Sequence, residues 1–188
     1  MLPSRTRKEG GLFSSARIGL EGDIAKSYSL VMAQSFQIQP LMRETFEHLF
    51  ERSQEELRND GVEVFKVDTY PGYPCRVSLA DAPVDSEVLL LNFDHLPMET
   101  PFRSKGPIFV QRDALTATMK VNEIPTMLGT RLLSIRGYDS RGMMIDADVI
   151  PGTELEGTIE SLFEQASIEF LHVHFAKRGC FTCQINRA

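Results

Sequence analysis

Residues 172–183 read His-Val-His-Phe-Ala-Lys-Arg-Gly-Cys-Phe-Thr-Cys, and this one stretch holds two of the chain's four histidines and two of its three cysteines. Imidazole and thiolate bind soft metals and do nucleophilic chemistry near neutral pH. His172 and His174 are alternate residues of a strand-like run, so both project from one face, with Leu171, Val173 and Phe175 on the other. A following hairpin would bring Cys180 alongside them. One reading makes Cys180 a nucleophile, with His174 or His172 as base and Arg178 favouring the thiolate. A second makes His172, His174, Cys180 and Cys183 metal ligands. On a straight strand Cys180 and Cys183 point to opposite faces, which opposes joint ligation. The structural reading has two hydrogen-bonded strand histidines and a small buried thiol.

Asp146 and Asp148 alternate with Ile145, Ala147 and Val149, so the two carboxylates share a face. The expected register adds Ser134, Arg136 and Tyr138 to that face. There the pair would orient a substrate or complete a metal site with the histidines, or else form cross-strand ion pairs on a solvated surface. Arg76 after a Pro-Cys bend, Arg103 in a loop and Arg136 in mid-strand suit capture of a carboxylate or phosphate. Pairing with Asp81, Asp94 or the Asp146/Asp148 pair is the alternative. His95 follows Asn92-Phe93-Asp94 as a loop histidine that could join the site, but reads first as a cap on a local turn.

These side chains need elements to hold them. Residues 33–39 read as a first strand. Pro40 opens a helix with the stripe Phe46, Leu49, Phe50 and Leu57, stopped at Asn59-Asp60-Gly61. Strands follow over 62–67, 76–79, 87–93 and 108–110, with loops at 70–74 and 97–107. The Val88-Leu89-Leu90-Leu91 run predicts a central strand. Residues 131–138 and 143–150 form a hairpin around Asp139-Ser140-Arg141-Gly142. Its alternation predicts an odd loop closed by a bulge with Gly142 at positive φ, placing Leu133 and Ile135 with Ile145, Ala147 and Val149. Thr153-Glu154-Leu155-Glu156 reads as a capping box for a helix whose stripe is Leu155, Ile159, Leu162 and Phe163. Strands over 168–175 and 180–186 complete an α+β domain with a mainly antiparallel central sheet flanked by two helices.

The chain has 188 residues, 42% hydrophobic and 24% charged, which suffices for one domain over residues 33–188. Residues 1–32 carry Arg5, Arg7, Lys8, Arg17 and Lys26 without an apolar run and read as a disordered extension, with Met32 a candidate true start. A formal charge of −6 argues against nucleic acid as partner. No apolar run suits a membrane span. Three cysteines suit a reducing, cytoplasmic setting better than a disulfide framework.

Tyr70-Pro71-Gly72-Tyr73-Pro74-Cys75-Arg76-Val77-Ser78-Leu79, Glu87 to His95, Arg131 to Val149 and His172 to Cys180 together resemble a bacterial family, domain of unknown function family 1203. The resemblance runs from about Ser35 to Ala188. It implies one cytosolic mixed α/β domain and names no activity, substrate or cofactor. The family pattern resembles His-Val-His-Asn-Ala followed by Gly-Cys-Tyr. Phe175 stands at its Asn place and Phe181 at its Tyr place, so a role for that amide or phenol is absent or moved, and Cys183 falls outside the pattern.

The leading expectation is a small cytosolic enzyme acting on an anionic small molecule. Cys180, His174 and His172 would do the chemistry. Arg76 and Arg136, with Asp146 and Asp148, would hold the substrate, and no residue is assigned to a metal. The alternative is a non-catalytic metal- or ligand-binding module built on the His-x-His and Cys segment. A third is an interaction domain with no such site. The cofactor, the substrate and the oligomeric state are left open.

Overall fold

The computed structural model describes residues 34–188. The extension expected over residues 1–32, and the choice between Met1 and Met32, lie outside the described residues. The elements are β1 (Phe36–Gln39), α1 (Glu47–Phe50), α2 (Gln54–Asn59), β2 (Glu63–Lys66), β3 (Pro74–Cys75), β4 (Ala80–Asp81), β5 (Glu87–Leu96), β6 (Ser104–Gln111), α3 (Thr126–Gly129), β7 (Leu132–Tyr138), β8 (Met144–Pro151), α4 (Leu155–Phe163), β9 (Phe170–Phe175) and β10 (Cys180–Arg187).

The strands form two five-stranded sheets, in the orders β1-β10-β9-β7-β8 and β2-β5-β6-β3-β4. Pairing is antiparallel apart from the Cys75–Phe109 bridge between β3 and β6. The mainly antiparallel expectation therefore holds, but two sheets replace the single central one. The two flanking helices are also corrected. Only α4, at nine residues, is longer than the six of α2.

The helix expected from Pro40 is broken, because Ser53 restarts it. The Ser53 side chain accepts from the Glu56 amide and the Glu56 carboxylate accepts from the Ser53 amide. This is a capping box, which satisfies free donors at a helix start. The stripe Phe46, Leu49, Phe50 and Leu57 is still buried, against Leu89, Leu91, Ile108 and Val110 of the second sheet. The capping box expected at Thr153 and Glu156 does not form. A 3₁₀ turn over Gly152–Glu154 leads into α4 instead, with no side-chain cap. The α4 stripe is buried as expected against Leu133, Ile135, Leu171, Val173 and Ile185. Each such side chain contributes roughly 1.5–3 kcal/mol on leaving water.

The strand expected over 76–79 is a turn between β3 and β4, and β6 takes in part of the loop expected over 97–107. The β7–β8 loop is odd and Gly142 has φ +76°, as the alternation predicts. A bulge then falls at Ile145, between the pairs Tyr138–Met144 and Gly137–Asp146. It reverses the facing of everything beyond it. Leu133 and Ile135 therefore share a face with Ile150 and Asp148, and Arg136 lies opposite Ala147. The expected face-sharing of Leu133 and Ile135 with Ile145, Ala147 and Val149, and of Arg136 with Asp146 and Asp148, is overturned.

Candidate functional site

Two strand faces meet where the sheets approach each other. On the first sheet, the β9–β7 ladder sets His172 opposite Arg136 and His174 opposite Ser134. Directly paired residues share a face. On the other side of β9, His174 pairs with Phe181 and His172 with Gln184. A bulge at Thr182 turns Phe181 and Gln184 to the same face as the histidines. The second sheet supplies His95 from β5. It sits at another bulge, between the pairs Asp94–Lys105 and Leu96–Ser104. Its ring stacks on Phe181, with centroids 4.9 Å apart and an interplanar angle of 4°.

One ring nitrogen from each of His95, His172 and His174 lies within 4.8 Å of the others. Each ring also has a buried nitrogen with no hydrogen-bond partner among the described residues: His95 Nδ1, His172 Nδ1 and His174 Nε2. The other nitrogens set the tautomers. His174 Nδ1 lies 3.0 Å from the Gly179 carbonyl oxygen, so it carries the proton and donates, and Nε2 keeps a lone pair. His172 Nε2 lies 3.4 Å from Gln184 Oε1, a long contact of the same sense.

All three rings are held neutral. Burial, then the Arg136 charge, pulls His95 down to about 4, while Asp94 pulls the other way. Burial, then His95, takes His172 to about 4. Burial, then Arg136, takes His174 to about 3. Neutral imidazoles with unpartnered nitrogens are the form that ligates a metal. Arg136 gives Nε to Ser134 Oγ at 3.3 Å and has no ion pair to a described carboxylate.

Cys180 is elsewhere. It pairs with Phe175, so it faces away from His172 and His174. The expected thiol–imidazole contact is not made: His174 Nδ1 is turned to Gly179. The Thr182 bulge also puts Cys183, which pairs with Val173, on the Cys180 face. The opposite facing expected of the two cysteines is corrected, and neither faces the histidines. Cys183 is wholly buried, which pushes its thiol up to about 12.

Arg76 sits with Cys180, apart from Arg136. Arg76 is 1% exposed. Its Nε donates to the Phe181 carbonyl at 2.8 Å, Nη1 to the Pro74 carbonyl and Nη2 to Cys180 Sγ at 3.1 Å. Burial pulls its pKa down, opposed chiefly by Cys180. The expected substrate-gripping pair is thus divided between two places. Asp146 and Asp148 join neither. Both are exposed on the edge strand β8, each accepting from the next backbone amide, and Asp146 Oδ2 also accepts from Gln165 Nε2.

Alternation alone places His172 and His174 together, whereas His95 reads first as a turn cap and only second as a member of the site. Nothing local marks His95, since a bulge and the facing sheet aim it.

A family model described as "Protein of unknown function (DUF1203)" matches residues 72–187, and the chain belongs to that family. All of the residues of the histidine cluster, Arg76 and Cys180 fall inside the match. No curated protein matches the chain. No solved structure matches it either.

Proposed function

We propose that this member of the family binds a divalent transition metal through His95, His172 and His174. The bound metal, with Arg136, would hold a small anion. The observation that supports this reading is the convergence of three neutral imidazoles, each with a buried, unpartnered nitrogen. A buried nitrogen without a partner costs about 1–3 kcal/mol, and a metal ion held by these nitrogens would remove that cost. Three histidines with open positions suit zinc, iron(II), cobalt or nickel.

The same geometry argues for the anion. Three neutral ligands leave the ion's full charge in place, and Arg136 adds another positive charge beside it. An anionic ligand relieves that repulsion. The reading is therefore the metal- or ligand-binding alternative rather than the thiol enzyme, because Cys180 has no histidine base within its face.

The test is elemental analysis of untagged protein, followed by titration of the metal-free form with Co²⁺ and Zn²⁺. Expected are one equivalent bound, a cobalt visible spectrum of low coordination number, and loss of both in His95→Ala. Absence of Co²⁺ and Zn²⁺ binding, or binding unchanged in His95→Ala, overturns the proposal. Azide or phosphate perturbing the cobalt spectrum, in an Arg136-dependent way, is the expected sign of the anion position.

A further inference from the structure

The division of the expected site leaves Cys180 and Arg76 beside a cavity of about 420 Å³ at the β9–β10 turn. That volume is in the range that takes a small organic molecule. The cavity lining combines apolar and basic groups. Leu90, Pro107 and Phe109, from β5 and β6, make one side apolar. Arg131, Lys177 and Arg178 join Arg76 to supply the charged groups, among further apolar lining from Pro74, Leu132 and Phe175. No Asp or Glu lines it among the described residues.

The basic groups differ in their freedom. Arg76 is committed by its three hydrogen bonds. Arg131 donates Nη2 to Asp81 at 2.6 Å, outside the cavity lining. Both guanidiniums lie over the Phe175 ring, at 5.4 and 5.1 Å from its centroid. Phe175 thereby holds two cations in place at the cavity wall, by attraction of a positive charge to a ring face. Lys177 and Arg178 are exposed at the turn and have no ion pair to a described carboxylate. Gly179, at φ +70°, supports the tight turn that presents them. A protein of formal charge −6 has gathered four cations around one cavity, three of them, Arg76, Lys177 and Arg178, without a carboxylate partner among the described residues. Such a concave basic surface raises the local concentration of anions.

We propose that this cavity is a second site, distinct from the histidine cluster, that binds an amphipathic organic anion. Its carboxylate or phosphate meets Arg178 and Lys177, the two cations without a partner among the described residues, and its flat apolar body lies against Leu90 and Phe109. Cys180 stands in the wall of the same cavity, with Arg76 donating to its sulfur. Cys75 and Cys183 are fully buried, so Cys180 is the described thiol through which reagents report on the cavity.

The experiment compares alkylation of Cys180 by anionic iodoacetate and neutral iodoacetamide, on chelator-treated protein so that the metal reading plays no part. Rates are normalised to those of glutathione, and the modified residue is identified by peptide mass. The expected result is a preference for iodoacetate of about tenfold at low salt. Benzoate and phenyl phosphate should protect Cys180 saturably, and inorganic phosphate less well, because it leaves the apolar wall unused. Which of the two aromatic anions protects at lower concentration tells carboxylate from phosphate. The double variant Lys177→Ser, Arg178→Ser changes only exposed turn residues, and should lose most of the preference while keeping its circular dichroism. A normalised preference of one or less, a preference unchanged in the double variant, or no alkylation by either reagent overturns the proposal.

Discussion

Holding His172 and His174 neutral predicts an acid-sensitive fold. The ordinary histidine value is 6.5, and in the folded protein burial takes His172 to about 4 and His174 to about 3. Between those values the unfolded chain binds protons that the folded one refuses. Stability is therefore full above pH 6.5 and is lost as pH falls toward 4 and 3. One pKa unit corresponds to about 1.4 kcal/mol. At pH 5 the unfolded rings sit about 1.5 units below their own value, so each histidine costs about 2 kcal/mol and the pair about 4. His95, held at about 4 but less buried, adds a further, screened share that the His172 and His174 variants leave in place. Folded domains have about 5–15 kcal/mol in total, so the loss is readily measured.

The window isolates the histidines. Asp139 is held below the usual carboxylate range by the Met143 amide, and Glu56 by the Ser53 side chain. Their effects begin only below the ordinary carboxylate values, outside pH 5–7.5. The assay is urea unfolding of chelator-treated protein at pH 7.5, 6 and 5, followed by circular dichroism. The variants His172→Gln and His174→Gln should each remove about a third to a half of the pH dependence, whatever they do to stability at pH 7.5. A wild-type loss below about 1 kcal/mol between pH 7.5 and 5 would refute the reasoning. So would variants that keep the full slope.

Two further outcomes concern the framework. Gly152→Ala should cost more than about 3 kcal/mol in urea unfolding, because its Cβ would stand 1.9 Å from the Leu128 carbonyl oxygen and 2.9 Å from that of Arg131. Gly61→Ala, at φ +74° with nothing within 4 Å, should cost only about 1–2 kcal/mol; equal losses at the two positions would contradict this contrast. Arg76→Met should cost about 3–5 kcal/mol by leaving the Phe181 and Pro74 carbonyls without their donor. Arg76→Lys should not restore it, since an ammonium cannot span three acceptors in a planar fork; a lysine variant of wild-type stability would show the fork to be dispensable.

What could be read from the chain is what depends on regular alternation. His172 and His174 on one face, the buried stripe of α4 and the positive φ of Gly142 all follow from period and turn chemistry. The failures occur where one residue interrupts that period. Ser53 restarts a helix whose apolar stripe runs on without a break. Ile145 shifts β8, and with it Asp146 and Asp148 leave the Arg136 face. Thr182 shifts β10, and Cys180 and Cys183 come to share a face. A single inserted residue reverses every side chain beyond it, and hydrophobic alternation is weakest where a strand is edge-exposed or buried on both faces. Strand β8 is the first case and β10 the second.

The candidate site itself depends on such an interruption. His95 sits at the bulge of β5, and the sheet that carries it is not the sheet that carries His172 and His174. Arg136 reaches the cluster because β9 pairs with β7 across a long stretch of sequence. Neither relation has a local signature in one chain. Yet their consequence is chemical: the bulge turns a third imidazole toward two that are already buried, and each of the three keeps one nitrogen without a partner. Burying polar nitrogens unsatisfied is costly in any core. A fold that does so three times in one place, beside a cation, is better explained by a ligand than by packing.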